Sequence, residues 1–230
     1  TPALADSKVR AAMALALDRN GISKGLLGGA CEPSAQIFPS SYWAASKKIP
    51  KSAIDYDAKK AKAMLVAAGY PDGFQMSLSS INAQQYSNVA EAVAQQLGKI
   101  GIKVDLQITE PVALIGNFVG AKTTDAYVSI WPGANDPSRT VTSLYMPTGL
   151  YNPGGLNIPQ ITSLAAEGLA GKTQDERANS YQALADATVE NHMQLPICSA
   201  SLPNAINGKV KNLLTTVGTA LDVRNVEMTK

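Results

Sequence analysis

The chain has 230 residues, 45% of them hydrophobic and 17% charged, with a formal net charge of +2. That is enough for one large or two small packed domains, and the mild, evenly spread charge carries no nucleic-acid footprint. No apolar run approaches the roughly 20 residues that span a bilayer. A start at Thr1 without methionine or a secretory leader reads as a trimmed, mature chain. The spacing predicts a helix from Ser7, with Val9, Met13, Ala16 and Leu17 on one face, ending near Asn20 and Gly21. A short second helix is expected to end at Gly28 and Gly29. Residues 30–54 are rich in Pro, Ser and aromatics, including Phe38, Tyr42 and Trp43, and read as a functional loop or as packed irregular chain.

Asp55 or Asp57 can cap the next helix, whose apolar face is Ala61, Met64, Leu65 and Ala68. Gly69 supplies a left-handed stop, Pro71 forbids continuation, and the turn at 70–73 leads into a strand over 74–80. A helix over 85–100 with Val89, Val93, Leu97 and Ile100 inward ends at Gly101, and 102–108 alternates as a strand. Strand, helix, strand at this spacing is a βαβ unit. A helix near 110–120 leads to a strand over 126–131, then a helix runs through Leu144, and a Gly/Pro/Asn-rich loop covers 147–157. A short helix is expected near 158–168. Thr173 and Glu176 form a capping box that opens a long helix to about Asn191, with Tyr181, Leu184, Thr188 and Val189 on its buried side. Residues 195–198 start a strand. Beyond it the apolar pieces at Val210, Leu213, Leu214, Val223 and Val226 find no evident partner. Alternating strands and helices define an α/β fold.

Little in the chain resembles catalytic or metal chemistry. His192 is the only histidine, with no second nitrogen or thiol spaced for zinc. There is no Gly-x-Ser-x-Gly elbow, and Gly25, Gly28 and Gly29 match neither a Walker loop nor a dinucleotide fingerprint. Capping and turn roles account for Asp55, Asp57 and Asp72. Cys31 and Cys198 are the only cysteines. Two buried thiols and a disulfide both fit, and the disulfide would be worth ~4–5 kcal/mol on the chain-entropy model. The more promising segment is Trp131 to Pro137, at the carboxyl end of an expected strand, where open α/β sheets bind ligands. Asp136 capping the next helix and Trp131 packing in the core account for the same residues equally well.

Four segments, in order, resemble one family. They are VRAAMALALDR at 9–19, YDAKKAKAMLVAAGYPDGF at 56–74, QLGKIGIKVDL at 96–106, and the stretch from Asp175 and Arg177 through Ile197. Together they look like the peptide/nickel class of extracellular solute-binding proteins, the receptors of ABC importers. The resemblance implies a periplasmic-binding-protein-like lobe (type II, peptide-binding class) with a mixed sheet flanked by helices. Residues 1–198 would form the carboxy-terminal ligand-binding lobe, and 199–230 a return crossing that packs on an absent amino-terminal lobe. It further implies a monomeric periplasmic or extracellular receptor, lipid-anchored in its precursor, that closes on a small solute or peptide and delivers it to permease subunits. No cofactor, metal or catalysis is implied.

On this reading the ligand-binding residues are Trp131, Gly133, Ala134, Asn135 and Asp136, supported by Tyr127 and Arg139, with Tyr42 and Trp43 from the long loop. Peptide-binding members carry an aspartate about three residues before the Asp-Pro, where this chain has Gly133. Two other readings stand beside it: an α/β hydrolase using Ser or Asp with His192, and a sensor or adhesion lobe that binds another protein.

Overall fold

The computed structural model describes residues 1–200, 205–215 and 221–229. Two aspartates punctuate its start. Asp6 accepts from the Lys8 amide and begins α1 (Ser7–Leu15), and Asp18 accepts from the Gly21 amide and begins α2 (Arg19–Leu26). Both expected helices form, but the break between them falls at residues 16–18 rather than at Asn20 and Gly21. Asp18 turns its carboxylate onto the next turn, and Gly21 lies inside α2, where a Cβ would meet the Asp18 carboxylate at 2.4 Å. The 30–54 segment proves to be packed chain. It contributes β1 (Cys31–Pro33), a 3-10 turn at Lys51–Ile54, and buried Phe38, Ala44 and Ala45.

Of the two candidate caps, Asp57 is the one whose side chain starts α3 (Ala58–Ala67), accepting from the Lys60 amide at 2.8 Å. Gly69 then takes φ 96 and Gly73 φ 73. These values lie in the left-handed region that costs most residues free energy. A Cβ on Gly73 would fall 1.8 Å from the carbonyl oxygen of Gly101, itself at φ 100. Two main chains thus touch directly at the starts of β2 (Phe74–Ile81) and β3 (Ile102–Thr109). From there the strands pair in parallel, from Phe74 opposite Ile102 to Ile81 opposite Thr109. The crossover between them is α4 (Gln84–Gly98).

After β3, α5 (Pro111–Ile115) runs into a π-helical turn, and β4 (Ala126–Val128) pairs in parallel on the other side of β2, giving the order β3-β2-β4. Asp125 sets this join by accepting from the Ser77 amide at 2.8 Å and the Ser77 hydroxyl at 3.0 Å. The strand expected over 126–131 stops at Val128. Beyond it Trp131 is drawn away by its hydrogen bond to Thr140, and Pro132 has no amide to donate to a ladder.

The remaining helices are α6 (Pro137–Leu144), α7 (Pro159–Ala170) and α8 (Gln174–Glu190). Both halves of the Thr173–Glu176 capping box are formed. Gly168 lets α7 lie against the ring of Tyr181, which a Cβ would meet at 2.7 Å. Two apolar clusters result. One gathers Val9, Leu17, Leu65, Leu78, Leu97 and Ile102 around the sheet. The other gathers Phe38, Val141, Leu144, Ile161, Tyr181 and Leu184 around α6 to α8.

Two buried arginines hold the chain that follows α8 against α1 and α2. Arg10 donates to the carbonyls of Asn191 at 2.7 Å and His192 at 3.0 Å, just past α8, and to those of Leu4 and Ala5. Arg19, 2% exposed, donates to Pro196 at 2.7 Å and to Ala14 at 2.9 Å. Its pKa falls to about 10 through burial, so it stays charged at neutral pH. The carbonyls at the end of α8 carry the negative pole of that helix and suit cations.

The chain then forms β5 (Cys198–Ala200), antiparallel to β1, and across this ladder Cys31 and Cys198 are joined as a disulfide with Cα atoms 5.6 Å apart. Parallel pairing is thus confined to the central sheet and antiparallel pairing to the small ones. In the tail, β6 (Val210–Lys211) pairs with β9 (Glu227–Met228), and β7 (Leu214–Thr215) pairs with β8 (Leu221–Asp222). The tail's main chain thus pairs with itself, Val210 opposite Met228 and Leu214 opposite Asp222, while the side chains of Ile206, Val223 and Met228 stay exposed. Residues 216–220, part of that expected segment, lie outside the described residues.

Arg19→Met should lower stability by about 2–4 kcal/mol in urea unfolding, because two buried carbonyls lose charge-assisted partners. Without reductant, iodoacetamide should label neither Cys31 nor Cys198 in the unfolded chain. Reduction should lower the unfolding midpoint, since the bridge closes a loop of 167 residues worth ~4–5 kcal/mol by chain entropy.

Candidate ligand-binding site

Because β2, β3 and β4 run in parallel, their carboxyl ends, Ile81, Thr109 and Val128, share one edge of the sheet. The chain moves from β2 to β3 on one side and returns to β4 on the other, the switch-point arrangement at which open sheets bind ligands. Ile108, Val112, Ile115 and Ile130 are exposed along this edge, Val112 at 86%. An aromatic row lies beside them. Phe118 and Tyr127 have ring centroids 4.6 Å apart, Tyr127 and Tyr151 6.2 Å, and Tyr151 and Trp131 5.5 Å. Burial, with help from Tyr151, pushes the Tyr127 phenol up to about 12, so it remains a neutral donor and acceptor. The indole N–H of Trp131 donates to Thr140 at 3.0 Å. The Tyr151 loop is pinned by Asn152, whose amide donates to Met146 and Leu156 carbonyls.

The loop 129–136 runs between this row and a second aromatic group. Tyr42 donates its hydroxyl to the Asn135 carbonyl at 2.8 Å and packs on Phe38 and Trp43. Arg177 lies over the rings of Trp43 and Tyr181, at 5.7 and 5.6 Å, and donates to the Gly168 carbonyl. Its Nη2 reaches Asp136 at 2.8 Å. Asp136 also accepts from the Ser138 amide at 2.9 Å, capping α6. Arg177 first, against a burial cost, and then Ser138 hold the Asp136 carboxyl at about 2.

The sequence-expected residues therefore take different places. Trp131 and Tyr127 stand in the aromatic row. Gly133 (φ 77), Ala134 and Asn135 form the crest of the loop, and Arg139 is exposed on the first turn of α6. Tyr42 buttresses the loop from behind. Trp43 lies under Arg177, and the Asp136 carboxylate is already engaged. Sequence reasoning missed Phe118, Tyr151 and Arg177. Tyr151 is the only aromatic in the 147–157 loop, and Arg177 directly follows the capping-box glutamate, so both carried a usable signal.

His192 is held below its usual pKa by burial and by Arg10 and Arg19. It shares a shallow depression with Ser52 and Asp55, but among the described residues its ring makes no hydrogen bond to a serine or a carboxylate. Lys48, Pro50, Asp186 and Glu190 line another depression, also away from the sheet edge. Among the described residues no group of three or more His, Cys, Asp and Glu is placed to hold a metal, and no helix is long and apolar enough to cross a membrane.

The parallel sheet, with an aromatic row and a tethered loop at its carboxyl edge, has the fold of a periplasmic-binding-protein-like lobe. Residues 1–152 match the family described as bacterial extracellular solute-binding proteins, family 5 middle. The chain belongs to that family. It is 26% identical over 205 residues to the probable di/tripeptide-binding protein 5 of Pseudomonas aeruginosa (strain UCBPP-PA14), covering 85% of this chain and 38% of the relative. It is 26% identical over 208 residues to the glutathione-binding protein GsiB of Escherichia coli (strain K12), covering 86% of this chain and 40% of that protein. Its fold matches the oligopeptide-binding protein AppA of Bacillus subtilis, in complex with a nonapeptide, with a TM-score of 0.81 at 22% identity over 100% of this chain and 49% of that one. The chain thus spans about two fifths of the length of these curated relatives.

Carbon-detected NMR titration should place the Asp136 carboxyl near 2, and Arg177→Met should move it toward the ordinary ~3.9. A depressed folded pKa gives stability that is present above the unfolded value and lost as pH falls toward 2. With the Asp136 side chain 46% exposed, that contribution should be less than ~1 kcal/mol.

Proposed function

We propose that residues 1–198 form one lobe of a two-lobed receptor of an ABC importer, and that 199–230 pass to the second lobe. The receptor captures a peptide or peptide-like solute outside the cytoplasm by closing the lobes over the sheet edge, then presents it to the permease. One observation carries this reading: the aromatic row and the tethered loop 129–136 lie together at the carboxyl edge of the parallel sheet. The family membership supports it, as do relatives named for di/tripeptides and glutathione. The exposed Ile206, Val223 and Met228 of the tail support a second packing surface. In this reading the protein carries out no turnover, works as a monomer, and resides in the periplasm or at the cell surface, held there by a lipid anchor on its precursor.

The test is thermal-shift screening of the full-length receptor against dipeptides, oligopeptides, glutathione, nickel complexes, sugars and opines, with mass spectrometry of each mixture. A bound solute at 100 times its Kd should stabilise by about 2.7 kcal/mol and be recovered unchanged. Conversion of any of these compounds, with His192→Ala abolishing it, would replace this reading with a hydrolase.

A further inference from the structure

The loop after β4 has an unbalanced set of charges. Its one carboxylate, Asp136, is occupied by Arg177 at 2.8 Å and by the Ser138 amide at 2.9 Å. Gly133, at the crest, holds φ 77, where an acidic side chain would be strained. The main-chain amides of Trp131, Gly133, Ala134 and Asn135 donate to no protein acceptor among the described residues, whereas the Asn135 carbonyl already accepts from Tyr42. Arg139 is exposed on the first turn of α6, and its side chain joins no ion pair or hydrogen bond among the described residues. Glu110, the acidic residue at the end of β3, lies two strands away in the order β3-β2-β4, which is roughly 10 Å across the sheet. Beside these donors runs the row Trp131, Tyr151, Tyr127 and Phe118.

We propose, resting on the solute-receptor reading above, that the solute taken by this loop carries an anionic group such as a carboxylate, has an apolar or planar body, and bears no free ammonium. Arg139 is the residue that sets this charge preference. A carboxylate bound at this loop would find main-chain N–H groups that have no protein acceptor and, four residues past Asn135 on the first turn of α6, an exposed guanidinium able to engage both its oxygens. An ammonium in the same place meets N–H groups, a cation, and a carboxylate that Arg177 has already neutralised. Arg177 thus acts on specificity without touching the solute, by withdrawing Asp136. The aromatic row takes the apolar body, with the neutral Tyr127 phenol as a polar point along it.

The experiment is isothermal titration of the full-length receptor with three probes of one body: N-acetyl-phenylalanyl-leucine, its amide, and phenylalanyl-leucine amide with a free ammonium. The acid should bind at least about tenfold tighter than either amide. Arg139→Gln should remove that advantage and leave the neutral amide within about twofold, while Arg139→Lys retains most of it. Arg177→Met, which frees Asp136, should shift preference toward the ammonium form. Equal or tighter binding of the ammonium form, or an acid-to-amide ratio that Arg139→Gln leaves unchanged, overturns the proposal while solute binding stands. If none of the three binds, the solute that stabilises the receptor in the preceding screen takes their place, as free acid against amide. A stabilising solute without an anionic group then overturns the proposal. A receptor stabilised by no solute at all fails the receptor reading itself.

Discussion

The lobe depends on two buried guanidiniums that, among the described residues, form no salt bridge to a carboxylate. Arg10 and Arg19 are buried and spend their hydrogen bonds on main-chain carbonyls at the end of α8 and just beyond it, on Asn191, His192 and Pro196. Charged donors on carbonyls are among the stronger hydrogen bonds in a protein, and a buried charge left without such partners would be costly. Here the cation meets the negative pole of a long helix, so helix and arginine satisfy each other. His192 follows at φ 47, turning the chain so that its own carbonyl also reaches Arg10. Arg10 in this way joins the sheet half to the end of α8 in the helical half, and Arg19 holds the returning chain at Pro196 against α2.

That join matters because the candidate site is built on the seam. Val128 packs on the first cluster and Trp131, three residues later, on the second. The loop 129–136 therefore bridges two bodies whose alignment is set elsewhere. Its own conformation is then held from both sides, by Thr140 on the indole, Tyr42 on the Asn135 carbonyl and Arg177 on Asp136. A loop held this way is largely organised by the protein itself, which would lower the ordering cost of any binding there.

The sequence was most legible where structure is decided within a few residues. The bounds of α6, the Thr173–Glu176 box, the Asp57 cap and the Gly69 stop are local chemistry, and the βαβ unit follows from periods of two and 3.6. The break between α1 and α2 was also local, but a continuous apolar face masked the capping role of Asp18. What could not be read was long-range. β4 is three residues long because Trp131 bonds to Thr140, and Asp136 is unavailable because Arg177 arrives from 41 residues away. The candidate site was suggested by its motif and its position after a strand, while its electrostatic character depends on pairings that no local pattern encodes.

Gly73 and Gly101 carry a consequence for how this lobe tolerates change. Their main chains touch at the root of β2 and β3, so the register of the pair is set by backbone against backbone before any strand side chain is considered. A one-residue slip would turn every strand side chain to the wrong face, and this contact blocks it without help from the strands' composition. The strands are therefore free to vary in sequence as long as their alternation survives, whereas the two turns are not. A side chain added at either bend should therefore disturb the register of the pair more than a substitution along either strand.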